Sequence, residues 1–177
     1  MSLMEHSVKQ IFDAFESSRI QLQDQLRSFD PQQLSAFRSD GGWSIIQIMN
    51  HLADAEQQSL RYMKRKILQQ EPLKKSGFKS IYRLLLLRLA FFLPIKYKVP
   101  PVLDEPSNVL TLEETIRKWS AIRDGLRELI GDLDSTQVKV ELFKHPLVGK
   151  MNIIQALKFM QLHFDRHCSQ IQQRLVS

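Results

Sequence analysis

Apolar residues recur at helical spacing along four long stretches of this chain, and only six of its 177 residues are glycine. Amphipathic stripes of that length must be buried against other helices. With so few breaks between them, the chain is expected to be all-α, its helices packed around one shared core.

The helix limits follow from their end signals. The first helix is expected from about Met4 to Ser28, with Val8, Ile11, Phe12, Phe15, Leu22 and Leu26 on its apolar face. Asp30-Pro31 ends it, because the residue before a proline disfavours helix. A polar connection leads through Gly41-Gly42 to Ser44-Ile45-Ile46-Gln47, a capping box in which the serine and glutamine side chains satisfy each other's backbone N–H groups. The second helix then carries Ile48, Leu52, Ala55 and Tyr62 to about Gln69. Thr111-Leu112-Glu113-Glu114 is another capping box and opens a third helix that ends near Gly131. After a loop holding His145-Pro146-Leu147-Val148-Gly149, Asn152 caps a fourth helix that runs to about Leu175. Residues 1–177 are read as a single domain, a size that can bury a substantial core without disulfides.

The connection between the second and third helices is about forty residues long and has its own character. Leu84 to Leu87, Leu89 to Leu93 and Ile95 form an apolar run interrupted by Arg88, too short and too charged for a spanning helix of about 20 apolar residues. It is expected to form an extra helix, inserted between the second and third, that packs on the bundle or on a second subunit. Basic flanks would also suit a membrane-surface helix, but peripheral membrane contact is not expected. Pro94, Pro100, Pro101 and Pro106 then impose an extended path.

Charge and cysteine content narrow the function classes. A net charge of +6 raises nucleic acid as a partner, yet the lysines and arginines are dispersed and no nucleic-acid-binding motif is visible. A solvated basic surface explains the charge, and no nucleic-acid contact is expected. The single cysteine, Cys168, excludes an internal disulfide, and MSLMEHSVKQ lacks the apolar core of a signal peptide. A cytoplasmic location is expected.

Chemistry enters through three histidines. His163 and His167 lie four residues apart, so their imidazoles leave one helix face one above the other. Ala156, Met160 and Ile171 continue that stripe, which makes it an inward face. His51 lies about 10 Å into the second helix, and His163 and His167 lie roughly 18 and 12 Å before the end of the fourth. If those helices run antiparallel, the three side chains meet at one depth; an up-down-down-up order provides that arrangement, with the long connection as its crossover. Converging imidazoles would bind a transition metal, while separate ones would be core histidines satisfied by other partners. His6 is near a terminus. His145 is placed at the far end of the fourth helix as a turn residue, and Cys168 points about 100° away from His167.

The segment Gly42-Trp43-Ser44 through His51-Leu52-Ala53-Asp54, the late His145-Pro146-Leu147-Val148-Gly149-Lys150-Met151, and His163-Phe164-Asp165-Arg166-His167-Cys168-Ser169-Gln170-Ile171 together resemble the DinB/YfiT-like metal-dependent proteins. The family pattern has a W-S opening, a histidine followed by leucine, and a final H-x-x-x-H followed by Q-I. The resemblance covers nearly the whole chain. It implies a four-helix up-down-down-up bundle, frequently dimeric, with His51, His163 and His167 around nickel, zinc or iron. It also implies an activity of thiol-dependent S-transferase or hydrolase type, using a low-molecular-weight thiol or other small-molecule substrate.

Three imidazoles leave coordination positions open, where a metal lowers the pKa of bound water or thiol. Imidazole ligation suits zinc, nickel, iron or copper and names none of them. Asp54, one turn from His51, is a candidate for orienting an imidazole; Gln47 and Gln170 are candidate hydrogen-bonding groups of the pocket. The approach from Lys96 to Asn108, including Lys98, is a candidate cover for the cleft. Metal binding should weaken below about pH 6, where free imidazole protonates. The competing readings are a non-catalytic metal-binding or stress-response module and a metal-free helical protein that keeps the fold.

Overall fold

In a computed structural model of the chain, residues 3–37, 41–69, 74–75, 106–145 and 149–176 are described. Four long helices dominate them: α1 (Leu3–Leu26), α3 (Ile45–Leu68), α4 (Leu112–Asp132) and α5 (Ile153–Leu175). Ser44, Thr111 and Asn152 cap the last three, and all three caps are reciprocal boxes closed by Gln47, Glu114 and Gln155. The expected polar connection after α1 contains a short helix, α2 (Pro31–Ser35). Asp30 accepts a 2.7 Å hydrogen bond from the Gln32 N–H, Pro31 supplies a helical φ at the first position, and Leu34 is buried.

An all-α description needs one amendment. Phe143–His145 (β1) and Gly149–Met151 (β2) pair antiparallel, with Phe143 opposite Met151 and His145 opposite Gly149. Gly149 has φ +81°, a left-handed conformation that glycine adopts without strain. A short 3₁₀ turn, Gln137–Lys139, precedes the hairpin, and the Glu141 N–H donates to the Lys74 carbonyl at 2.9 Å. The leucine-rich segment 81–95 and Lys98 lie outside the described residues.

Side-chain pairs fix the helix directions. Between α3 and α4, Asn50 meets Thr115, Glu56 meets Arg123 and Lys64 meets Glu128, so numbers rise together and the helices are parallel. Between α1 and α4, Arg27 meets Glu113, Arg19 meets Ser120 and Glu16 meets Arg123, so this pair is antiparallel. Phe15 with Phe164 and Gln25 with Gln172 make α1 and α5 parallel. In chain order the four helices therefore run up, down, down, up. Parallel α3 and α4 also mean that Leu68 and Leu112 lie at opposite ends of a helix about 36 Å long, which is why their connection is long.

The core is apolar but carries a buried charge network. Phe12, Phe15, Leu26, Met49, Leu52, Met63 and Trp119 are fully buried. Among them, the Arg123 guanidinium is 0% exposed and donates to both carboxylate oxygens of Glu56, at 2.6 and 2.9 Å. It also reaches Glu16 at 3.3 Å and stacks 3.4 Å above the Phe15 ring. Glu16 is paired with Arg19 on its own helix, and the Trp119 indole N–H donates to Glu56. These contacts join α1, α3 and α4, with Glu56 five residues beyond His51 on α3. Among the described residues no helix is long and apolar enough to cross a membrane.

Candidate metal centre

The helix directions carry His51 of α3 to His163 and His167 of α5. Nε2 of His163 lies 3.3 Å from Nε2 of His51 and 3.1 Å from Nε2 of His167. The rings stand roughly edge to face, with centroids 4.7 to 5.2 Å apart. Their donor atoms all lie within 4.8 Å of one another, a grouping able to hold a metal ion.

This donor set fits a metal better than it fits itself. A neutral imidazole nitrogen either donates or accepts, so the single proton His163 can carry on Nε2 serves only one of its two neighbours at a time. A metal uses the lone pair of all three. Metal–nitrogen bonds of about 2.0–2.1 Å at angles between about 90° and 110° put ligand nitrogens about 2.8–3.4 Å apart. The two observed separations fall in that interval. His167 is also set in the required tautomer, because its Nδ1 lies 2.8 Å from the Gln170 Oε1, which can only accept. Nδ1 therefore carries the proton and Nε2 presents its lone pair.

Burial keeps these rings neutral. His167 is 9% exposed, and burial first, then the charge of His51, lowers its pKa to about 3. His163 is held well below the usual imidazole value by burial and by the charges of His167, His51 and His145. Burial also lowers His51, partly opposed by the Asp54 carboxylate. The onset of proton competition with a metal thus moves below the pH of about 6 expected for free imidazole.

The structure redistributes the other candidate residues. Asp54 points to α4, where it forms a 2.7 Å ion pair with Lys118 rather than orienting a ring. Gln47 is used up in the α3 cap, and its amide donates to the Pro106 carbonyl. Asn50 donates to the Ser107 carbonyl, so residues 106–108 are strapped across the start of α3. Cys168 is partly buried, and burial and Asp165 push its thiol up to about 12, which makes it a poor ligand. His145 departs most from expectation. Measured along the helix axis it belongs at the far end of α5, but the hairpin doubles back and sets its ring 4.4 Å from Phe159. Phe159 in turn stacks on His163 at 6.1 Å and 8°. His145 is therefore one aromatic ring removed from the centre, outside the ligand group. Trp43, whose ring lies 5.1 Å from His51, was visible in the sequence only as part of the W-S signature.

Comparison with known proteins agrees with this arrangement. The model of the DinB superfamily matches residues 7–171, a span that contains all three histidines. The chain belongs to the DinB superfamily. A solved structure described as TT2238, a four-helix bundle protein, superposes with a TM-score of 0.59 at 21% identity, covering 94% of this chain and 98% of that one. That likeness shows the fold. No curated protein sequence matches the chain.

A pH dependence follows for this DinB-superfamily fold in its metal-free form. The histidine pKa values are lower in the folded chain than the unfolded value of about 6.5, so their contribution is complete above that pH and is lost as pH falls toward about 3. Glu16, where burial is outweighed by bonds and charge contacts with Arg19 and Arg123 so that its carboxyl lies below its ordinary value, adds acid sensitivity only once pH falls into the carboxylate range and below. Chemical denaturation of metal-free protein should therefore show stability already falling between pH 6.5 and 5. A flat profile over that window would contradict the buried neutral imidazoles.

Proposed function

We propose that the chain is a metal-dependent enzyme of thiol-dependent S-transferase or hydrolase type, with His51, His163 and His167 holding one divalent ion. The observation that carries this reading is the convergence of the three histidines, with Nε2 of His163 at ligand spacing from Nε2 of both others and one tautomer already fixed. Nickel, zinc and iron all suit three imidazoles. Among the described residues no carboxylate or thiol joins the group, so coordination positions are left for water or substrate. A metal there would act as a Lewis acid and lower the pKa of a bound water or thiol. The chain's own residues supply the rest. The three imidazoles stay neutral through burial, and Trp43 and Phe159 flank the ligand rings with apolar surface. A low-molecular-weight thiol with a small electrophile is the substrate pair that an open, imidazole-bound site of this kind would serve.

The test is turnover by protein loaded in turn with nickel, zinc and iron, against electrophiles offered with and without small thiols. Thiol consumption that requires both the ion and His163 supports the enzyme. Bound metal with no turnover across the panel would instead favour a non-catalytic metal-binding module.

A further inference from the structure

The last two turns of α5 connect two of the three histidines through groups that are not ligands. Gln170 accepts the His167 Nδ1–H at 2.8 Å. The backbone carbonyl of Gln170 accepts from Nη1 of Arg174 at 3.0 Å, and Nε of Arg174 donates to the carbonyl of Trp43 at 2.8 Å. Trp43 immediately precedes the Ser44 cap, and its indole lies against His51 with ring centroids 5.1 Å apart at 49°. A continuous path thus runs from His167 on α5 to His51 on α3. Its polar links involve side chains that are partly shielded from solvent, where a fixed guanidinium fork can hold two carbonyls at once.

We propose that Gln170 and Arg174 are positioning residues for the metal centre. Gln170 sets the tautomer and ring plane of His167, and Arg174 clasps the Trp43 loop so that the indole holds the His51 ring toward α5. The role rests on the metal-binding reading of the three histidines. It adds that the geometry of the ligands is fixed from the last turns of α5, by residues outside the ligand group. Ligand-orienting hydrogen bonds of this kind typically change metal affinity by about 10–100-fold when removed. A carboxylate at position 170 keeps the acceptor, whereas a lysine at 174 offers one point donor in place of a fork.

Four variants test this: Gln170→Ala, Gln170→Glu, Arg174→Ala and Arg174→Lys. Zinc affinity is read by chelator competition, coordination by the visible spectrum of cobalt-loaded protein, and the His167 tautomer by nitrogen NMR of metal-free protein. Gln170→Ala should weaken zinc about 10–100-fold and give a mixed His167 tautomer, with Gln170→Glu restoring both. Arg174→Ala and Arg174→Lys should each weaken zinc by about 10-fold and alter the cobalt spectrum. Parent-like affinity and cobalt spectra in all four variants would overturn the proposal. So would variants that lose only thermal stability in the metal-free state, which would mark the path as structural. If the parent itself binds no metal, the metal reading fails. A parent-like tautomer in metal-free Gln170→Ala would overturn the orienting role of Gln170 in either case.

Discussion

Replacing Arg123 with alanine is expected to cost about 3–5 kcal/mol of folding stability, among the largest losses available to a single substitution in this chain. The guanidinium is 0% exposed and bonds Glu56 twice while also reaching Glu16. Its removal leaves the Glu56 carboxylate, 4% exposed, with the Trp119 indole N–H as its remaining hydrogen-bond donor among the described residues. An uncompensated buried charge costs more than the pair was worth, which is why deletion of one partner is severe. Glu56→Gln should cost less, because its carbonyl can still accept from Trp119 and Arg123 keeps Glu16. Denaturant unfolding of the metal-free proteins measures both. Equal losses for the two variants would mean that charge isolation is not the cause.

His163→Ala should have the largest effect on metal binding. Nε2 of His163 is the atom that approaches both other histidines, so its loss leaves two donors on separate helices. Affinity for zinc or nickel should fall by more than the factor of about 100 that marks the loss of a merely orienting group. The helical bundle should persist, since the substitution removes one partly buried ring and leaves the apolar core residues in place. The metal-free variant should also lose part of the acid sensitivity between pH 6.5 and 5, because one group with a depressed pKa is gone. Competition titration and circular dichroism separate the two effects. Unchanged affinity with an intact fold would remove His163 from the ligand set.

The sequence made the helices legible because their signals are local. The Ser44, Thr111 and Asn152 boxes put the starts of α3, α4 and α5 where they are found. Depth arithmetic, given an antiparallel second and fourth long helix, brings His51 beside His163 and His167, because a straight helix converts residue number into distance. The hairpin was not legible. Strands of three residues carry too little alternation to register, and they alone bring His145 back along α5 to Phe159. Nor was the fate of Asp54, since one turn from His51 on α3 also faces Lys118 of the parallel α4. The Arg123–Glu56–Glu16 network escaped for a related reason. Its members read as ordinary charged positions on three separate helices, and only the bundle's directions place them together.

X-ray absorption of the zinc- or nickel-loaded protein tests the three-histidine centre most directly. A first shell at about 2.0–2.1 Å with three imidazole scatterers, reduced to two in His163→Ala, is the expected result. A shell containing sulfur from Cys168, or one without imidazole scattering, would contradict ligation by His51, His163 and His167.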